Sequence, residues 1–197
     1  MPKYVAEDLD GRIDMILDGG EIEIGLESTI VDLTEEVPMI LRPGYITKEM
    51  LERVLGEVRV DRTILDGNSG QPPKAPGMKY RHYAPKGELT IISGGQEQVV
   101  EEINRRACEM REIGEKVGVI GTAETAGLYF ADSVKSAGSR KDENAVAKAL
   151  YRILREFDEE GMTVIYSESF GTAGEEGIGQ AVMNRLLKAA GHHIEYL

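Results

Sequence analysis

Three groups of side chains in this sequence could do chemistry, and each favours an anionic ligand. The first is Ser28-Thr29 at the start of a β-branched run, with Arg42 at the end of the apolar run that follows. Two hydroxyls and one planar guanidinium can together grip a carboxylate or a phosphate. Hydroxyl pairs also begin many strands and serve only the local backbone, and spacing alone favours that structural role.

The second group is the segment Ala75–Pro85, which reads Ala-Pro-Gly-Met-Lys-Tyr-Arg-His-Tyr-Ala-Pro. From Lys74 to Lys86 the chain is rich in basic side chains and has no Asp or Glu, although the formal net charge of the whole chain is −12. Its rings can stack on a base and its cations can reach phosphates, but a docked connector with solvated charges fits the composition equally well. The candidate residues are Tyr80, Arg81, His82 and Tyr83.

The third group is the glycine-rich loop from Ser167 to Gly179, between a predicted parallel strand and a helix. Ligands of open α/β sheets bind at such strand ends, and a helix N-terminus favours anions. The loop matches neither a Walker A loop nor a dinucleotide fingerprint, and Glu168, Glu175 and Glu176 would repel phosphate. A structural role is therefore favoured for this loop, because motif geometry is what makes such loops specific.

Composition bounds the class of protein. With 41% hydrophobic and 29% charged residues, the chain is typical of a soluble globular protein, and we expect a cytoplasmic location with no membrane segment. The acidic balance argues against broad, direct nucleic-acid binding. The single cysteine, Cys108, is expected to pack in a helix, and His192 and His193 have no partner at metal-ligand spacing. We therefore predict no metal site formed by this chain.

The elements before residue 60 are too few to form an independent core. The patterns predict a helical piece at Val5–Leu9, a strand at Ile13–Leu17, and an antiparallel hairpin over residues 28–41. Thr47 is predicted to cap a short helix that ends at Gly56. Three strands and one helix leave a sheet face uncovered, so we expect that something is missing from this unit or is supplied elsewhere.

From Glu88 onward, predicted strands and helices alternate, which implies a parallel sheet with helices on its faces. They are, in order, strand Leu89 to Ile92, helix Gln96 to Arg111, strand Val117 to Ile120, the apolar pieces Leu128 to Phe130 and Val134 to Ser136, a long helix capped by Asp142, strand Met162 to Tyr166 and helix Ile178 to Ala190. The expected class is α/β, with a C-terminal Rossmann-like domain over residues 87–197, a linker over 61–86 and an incomplete α+β segment over 1–60.

Four stretches, in order along the chain, resemble the threonylcarbamoyl-AMP synthase family, in the longer type that adds a linker and a C-terminal domain to a YrdC-like catalytic domain. The stretches are Glu27 to Asp32, Leu41 to Thr47, Ala75 to Pro85 and Gly179 to Ala190. The linker and the last helix are the most specific. The family's long N-terminal portion, which carries motifs for ATP and threonine, has no counterpart here. The resemblance therefore covers the C-terminal portion, with residues 1–60 similar to the last part of the catalytic domain.

This resemblance implies a nucleotidyltransferase reaction. Threonine and bicarbonate form a carbamate, whose carboxylate attacks the α-phosphate of ATP, releasing pyrophosphate and leaving threonylcarbamoyl-adenylate for tRNA modification. ATP is then a substrate, Mg²⁺ is expected with it, and no covalently bound cofactor is implied. The implied partners are L-threonine, bicarbonate, ATP and, indirectly, the tRNA-modification machinery.

Carried over by resemblance, Ser28 and Thr29 would line the threonine and adenylate pocket, and Arg42 would contact a nucleotide phosphate. The linker residues Tyr80, Arg81, His82 and Tyr83 would close over that pocket. No catalytic residue is assigned, and the isolated chain is expected to be inactive unless a complementing catalytic segment or a second copy assists it.

Two other functions fit the residues. One is a non-catalytic nucleotide-binding or regulatory module built on the C-terminal domain, with the N-terminal piece as an arm that pairs with a partner. The other is a protein-interaction module that uses the exposed strand edges of the incomplete sheet.

Overall fold

Two separate sheets, of three and five strands, organise the residues that the structure describes. The computed structural model describes residues 2–20, 24–61, 84–170 and 177–197. In those ranges, no helix combines the length and the apolar character needed to cross a membrane.

The first sheet is small and has a small core. Its region contains α1 (Pro2–Leu9), β1 (Ile30–Asp32), β2 (Met39–Arg42), α2 (Lys48–Leu55) and β3 (Arg59–Val60). The strand order is β1-β2-β3, with β1 antiparallel and β3 parallel to β2. The fully buried apolar side chains here are Ile40 and Val58, against which a few half-buried residues pack.

The predicted hairpin and capped helix are confirmed, and one predicted strand is wrong. The Thr47 hydroxyl accepts from the Met50 amide at 3.4 Å, and Gly56 ends α2 with a φ of 80°. The segment Ile13–Leu17 is not a strand, and Leu17 is 88% exposed. An apolar run becomes a strand only where a neighbour pairs with it, and in the described residues the third strand of this sheet is β3 instead.

The second sheet follows the predicted alternation. Its elements are β4 (Glu88–Ser93), α3 (Gln96–Glu112), β5 (Val117–Gly121), a 3₁₀ turn (Ala126–Leu128), β6 (Ser133–Ser136), α4 (Glu143–Glu160), β7 (Val164–Glu168), α5 (Ile178–Ala189) and β8 (Ile194–Tyr196). The order is β6-β5-β7-β4-β8, and every neighbouring pair is parallel. The α/β class with a Rossmann-like parallel sheet is therefore confirmed.

Helices cover both faces of this sheet, as the handedness of parallel connections requires. From β4 the chain moves toward one edge of the sheet, to β5 and then β6. It then turns back toward the opposite edge, to β7 and then β8. Right-handed crossovers then place α3 on one face and α4 with α5 on the other. Two apolar clusters result, one under α4 and α5 and one under α3.

Three details of the C-terminal half differ from expectation. Cys108, expected to pack, is exposed, because it lies one position beyond the buried Ala107 on α3. Strand β7 begins at Val164 rather than Met162 and extends to Glu168. The residues after His193, for which no strand was predicted, form the edge strand β8, paired with β4, although the tail stays largely exposed.

The N-terminal helix α1 packs on α4 of the large sheet. The rings of Tyr4 and Tyr151 meet edge to face with centroids 6.0 Å apart. The Arg155 guanidinium donates to the Asp8 carboxylate at 2.5 Å, and Lys3 pairs with Glu159 at 2.7 Å. The two sheet regions are thus in direct contact.

Candidate functional site

The structure brings Ser28 and Arg42 together at one end of the small sheet. The Arg42 Nε donates to the Ser28 carbonyl at 3.0 Å, and Nη2 donates to the Ser28 Oγ at 2.9 Å. The hairpin register places Arg42 opposite Ile30, just beyond the serine. Ser28 is exposed and Arg42 is half-buried, so their polar groups lie at the surface of the fold.

Thr29 is held by the local backbone. Its Oγ1 donates to the Ile46 carbonyl at 2.7 Å, which fixes the turn after β2 against the start of β1. Gly44 makes this approach possible, since a Cβ there would lie 2.6 Å from the Thr29 nitrogen and 2.8 Å from the Ser28 carbonyl carbon. Real Cβ atoms do not approach backbone so closely. The Arg42-Pro43-Gly44 turn is therefore shaped to the backbone of residues 27–29.

One cation of the C-terminal domain, which the sequence reasoning missed, also faces this site. Lys188 near the end of α5 is half-buried. Burial lowers its pKa to about 8; the neighbouring Glu27 charge opposes this shift and the Arg42 charge favours it. The stretch from Gly179 to Ala190, which contains Lys188, resembles the family closely and so indicated that this helix matters. Its pattern does not show that Lys188 lies near Arg42.

The linker candidates Tyr80, Arg81, His82 and Tyr83 lie outside the described residues. The structure describes the chain from residue 84 onward, where it is docked on the C-terminal domain. Pro85 and Gly87 are buried, and the Lys86 amide donates to the Asp158 carboxylate on α4 at 2.6 Å.

The glycine-rich loop follows β7 in the chain. The strands β5 and β7 are neighbours in the sheet, but the chain leaves them in opposite directions, toward β6 and toward β8. Ligands of such folds usually bind in the crevice between two strands of this kind. Glu168 at this point is 1% exposed and does not face solvent. Its carboxylate accepts from Thr125, pairs with Arg140, and accepts from the Tyr129 hydroxyl at 2.8 Å. Burial, and next the Glu168 charge, raises the pKa of Tyr129. This satisfied network fits a structural role; Glu175 and Glu176 lie outside the described residues.

Metal ligation finds no support in the described ranges. They contain no group of three His, Cys, Asp or Glu side chains arranged to hold an ion.

Two protein-family models match this chain, and curated threonylcarbamoyl-AMP synthases are similar to nearly all of it. The model described as "Threonylcarbamoyl-AMP synthase, C-terminal domain" matches residues 46–191, and one described as "Telomere recombination" matches residues 1–44. A threonylcarbamoyl-AMP synthase of Bacillus subtilis is 46% identical over 192 residues, covering 98% of this chain and 53% of that protein. One of Pyrococcus abyssi is 45% identical over 191 residues, covering 97% of this chain and 53% of that protein. The chain thus spans about half the length of the curated relatives it matches.

Solved structures agree with the fold described above. The crystal structure of P. abyssi Sua5 complexed with L-threonine superposes with a TM-score of 0.85 at 42% identity, covering 99% of this chain and 54% of the other. A P. abyssi Sua5 variant, in which a neighbouring histidine and tyrosine are both replaced by alanine, gives a TM-score of 0.86 at 42% identity. It covers 100% of this chain and 54% of the other.

Proposed function

Because the chain belongs to the threonylcarbamoyl-AMP synthase family, we propose that it contributes the C-terminal portion of an L-threonylcarbamoyladenylate synthase. In the proposed reaction, the carboxylate of threonine carbamate attacks the α-phosphorus of ATP. The bond to the leaving oxygen breaks, pyrophosphate departs, and threonylcarbamoyl-adenylate remains for tRNA modification. L-threonine, bicarbonate and ATP are the proposed substrates.

The observation that carries this proposal is the contact between Arg42 and Ser28. A guanidinium has five N–H donors, so two bonds to Ser28 leave capacity for the oxygens of a phosphate. Those two bonds also fix its plane in advance, which reduces the entropy lost when an anion binds. Arg42 would hold a nucleotide phosphate, and the exposed Ser28 hydroxyl would line the threonine and adenylate pocket together with Thr29.

The aromatic linker is proposed as the lid of this site. Tyr80 and Tyr83 would cover the base or pack on the protein, and Arg81 and His82 would reach phosphates. The one His-Tyr pair in this chain is His82-Tyr83, and a neighbouring histidine and tyrosine were the residues replaced in the P. abyssi variant. Docking of Pro85 and Gly87 would anchor one end of the lid on the C-terminal domain.

Positioning and charge stabilisation would supply most of the catalysis in such an adenylation. Arg42, with Lys188 close by, would offset the negative charge that grows on the phosphates as pyrophosphate leaves. Magnesium would arrive with ATP, because Mg²⁺ in nucleotide sites is bound largely by substrate phosphates with one or two carboxylates.

Release of pyrophosphate from ATP in the presence of threonine, bicarbonate and Mg²⁺ tests the proposal for this chain. The 197-residue chain by itself is expected to give no turnover above the blank. Robust turnover by the chain alone would contradict that expectation.

Calorimetry with Mg-ATP separates the synthase from a regulatory module. Loss of affinity in Arg81→Ala or His82→Ala supports the lid. Affinity that survives removal of residues 1–86 supports nucleotide binding by the C-terminal domain alone.

A further inference from the structure

The irregular segment of residues 24–29 lies between the two sheet regions and touches both. Its last residues, Ser28 and Thr29, contact Arg42 at the end of β2 and Ile46 in the turn that follows. Its first residues contact α4 and α5 of the large sheet. The position of the candidate site is therefore set from the C-terminal domain as well as from the hairpin.

Arg185 on α5 makes the central contact. Its side chain is nearly buried, at 8% exposure, and its Nη1 donates to the Gly25 carbonyl. The guanidinium carbon lies over the Tyr151 ring, 5.2 Å from its centroid, which is within the range of a cation–π contact. Tyr151 is in turn held by the edge of Tyr4 and by Arg155, whose Nε donates to its hydroxyl at 3.1 Å. Arg185 thus has little freedom to move away from the segment.

Gly25 and Leu26 complete the docking. Gly25 has a φ of 65°, and a Cβ there would lie 2.5 Å from the Lys148 Cα on α4. Leu26 packs against the apolar cluster under α4 and α5. Ser28 follows Gly25 by only three residues, which span at most about 10 Å even when fully extended, so a shift at Gly25 is transmitted to the Arg42 contact.

We propose that Arg185 is a positioning residue for the candidate site: it holds the segment of residues 24–29, and through it Ser28, in register with Arg42. The C-terminal domain then fixes the position of the segment that carries Ser28. This inference depends on the proposed function only where it calls Ser28 and Arg42 substrate residues.

Hydrogen–deuterium exchange on the 197-residue chain tests the positioning role without any ligand. Arg185→Met keeps much of the side-chain volume and removes the donor. A hydrogen bond from a charged group contributes roughly a ten- to hundredfold change in an opening equilibrium. Exchange over residues 26–32 should rise by roughly that factor, while β4, β5 and β7 stay protected. Arg185→Lys can still donate to the Gly25 carbonyl, so its exchange over residues 26–32 should lie between that of the unaltered chain and that of Arg185→Met.

Two further variants make the test decisive. Arg152→Met is the matched control, since Arg152 lies on the exposed side of α4 and pairs only within that helix in the described contacts; it should leave exchange unchanged. Gly25→Ala disturbs the same contact from the segment, because the added Cβ collides with α4. It should reproduce the local rise in exchange over residues 26–32 while Arg185 is unaltered. Unchanged exchange over residues 26–32 in Arg185→Met, or an equal rise across β4, β5 and β7, would overturn the positioning role.

A second readout connects the contact to ligand binding. Affinity for Mg-ATP, measured by calorimetry, should fall in Arg185→Met and recover in part in Arg185→Lys. Equal affinity in all three proteins would contradict the positioning role. If the unaltered chain binds no ATP, the proposed nucleotide site of this chain fails, while the exchange result still decides whether Arg185 positions the segment.

Discussion

The two sheets of this molecule differ in how they are stabilised. The five-stranded sheet is packed on both faces, with apolar clusters under α3 and under α4 and α5. The three-stranded sheet has only Ile40 and Val58 as fully buried apolar side chains in the described residues, and Leu33 on its first hairpin is 64% exposed. Yet Arg42 ends β2 of the small sheet, and Ser28 lies two residues before β1. The residues proposed to bind substrate therefore lie in the less stable region and depend on the other for their position.

The largest expected effect comes from the large core. Phe157→Ala should lower the free energy of unfolding by about 3–5 kcal/mol, because the ring is fully buried against Gly118 and leaves a cavity. Urea unfolding followed by the helical circular-dichroism signal measures it. Ile40→Ala, in the small sheet, should change that same transition by less than about 1 kcal/mol, since a weakly cored unit can open by itself. Equal losses in the two variants would mean that the sheets unfold as one unit.

A smaller effect is expected where the two strands of the site approach. Gly44→Ala should cost the small sheet about 1–3 kcal/mol, because the added Cβ collides with backbone atoms of Ser28 and Thr29 and neither can retract like a side chain. Faster amide exchange in β1 and β2, with β4 and β5 unchanged, is the measurement. Gly19→Ala is the control, since its Cβ would meet nothing within 4 Å. Equal exchange in the two variants would refute the close-packed turn.

The smallest effect concerns Lys188, which lies between the regions. Its pKa is about 8 in the fold against an ordinary value of 10.5, so between these pH values the unfolded chain binds more protons. Lys188 by itself therefore contributes a gain in stability from pH 8 to pH 10.5, about 1–2 kcal/mol once solvent screening of a half-exposed side chain is allowed for, while groups such as Tyr129, whose pKa burial raises, act in the opposite direction at the top of this window. Glu27 and Arg42 are the charges that act on Lys188.

Urea midpoints at these pH values for Lys188→Met and for the exposed Lys141→Met isolate this contribution. Relative to the unaltered chain, the first variant should lose this gain between pH 8 and pH 10.5, and the second should keep it. His192, whose pKa is lowered by partial burial of its ring and then by the Lys188 charge, titrates below this window. An identical pH profile in both variants would contradict the lowered pKa of Lys188.

Much of the fold could be predicted because local signals and packing agree. The helix α4 shows this. Asp142 accepts from the Ala145 amide at 3.0 Å. The apolar spacing of the helix predicts an inward stripe, which is buried apart from the half-buried Ala149: Val146, Ala149, Leu150, Ile153, Leu154 and Phe157. The predictions fail where pairing with another strand determines whether a segment becomes a strand. The two residues of β3 are too few to show a period, and the segment Ile13–Leu17 has an apolar run without a neighbouring strand in the described residues.

The site divides in the same way. The contact between Ser28 and Arg42 could be predicted because a hairpin brings its two ends together. The roles of Arg185 and Lys188 could not, since they depend on how α5 packs against a segment some 160 residues earlier. Helical spacing shows that the two side chains share a face, but it carries no information about what that face meets.

The central claim is tested most directly in a chimera, in which this chain replaces the matching half of the B. subtilis threonylcarbamoyl-AMP synthase. We expect the chimera to release pyrophosphate from ATP only when threonine and bicarbonate are both present. Arg42→Ala in the chimera should reduce the rate roughly ten- to hundredfold, as expected for a lost charged hydrogen bond, while Arg59→Ala, an exposed residue of the same sheet, should not. A folded chimera without turnover, or one in which Arg42→Ala is as active as its parent, would contradict the account.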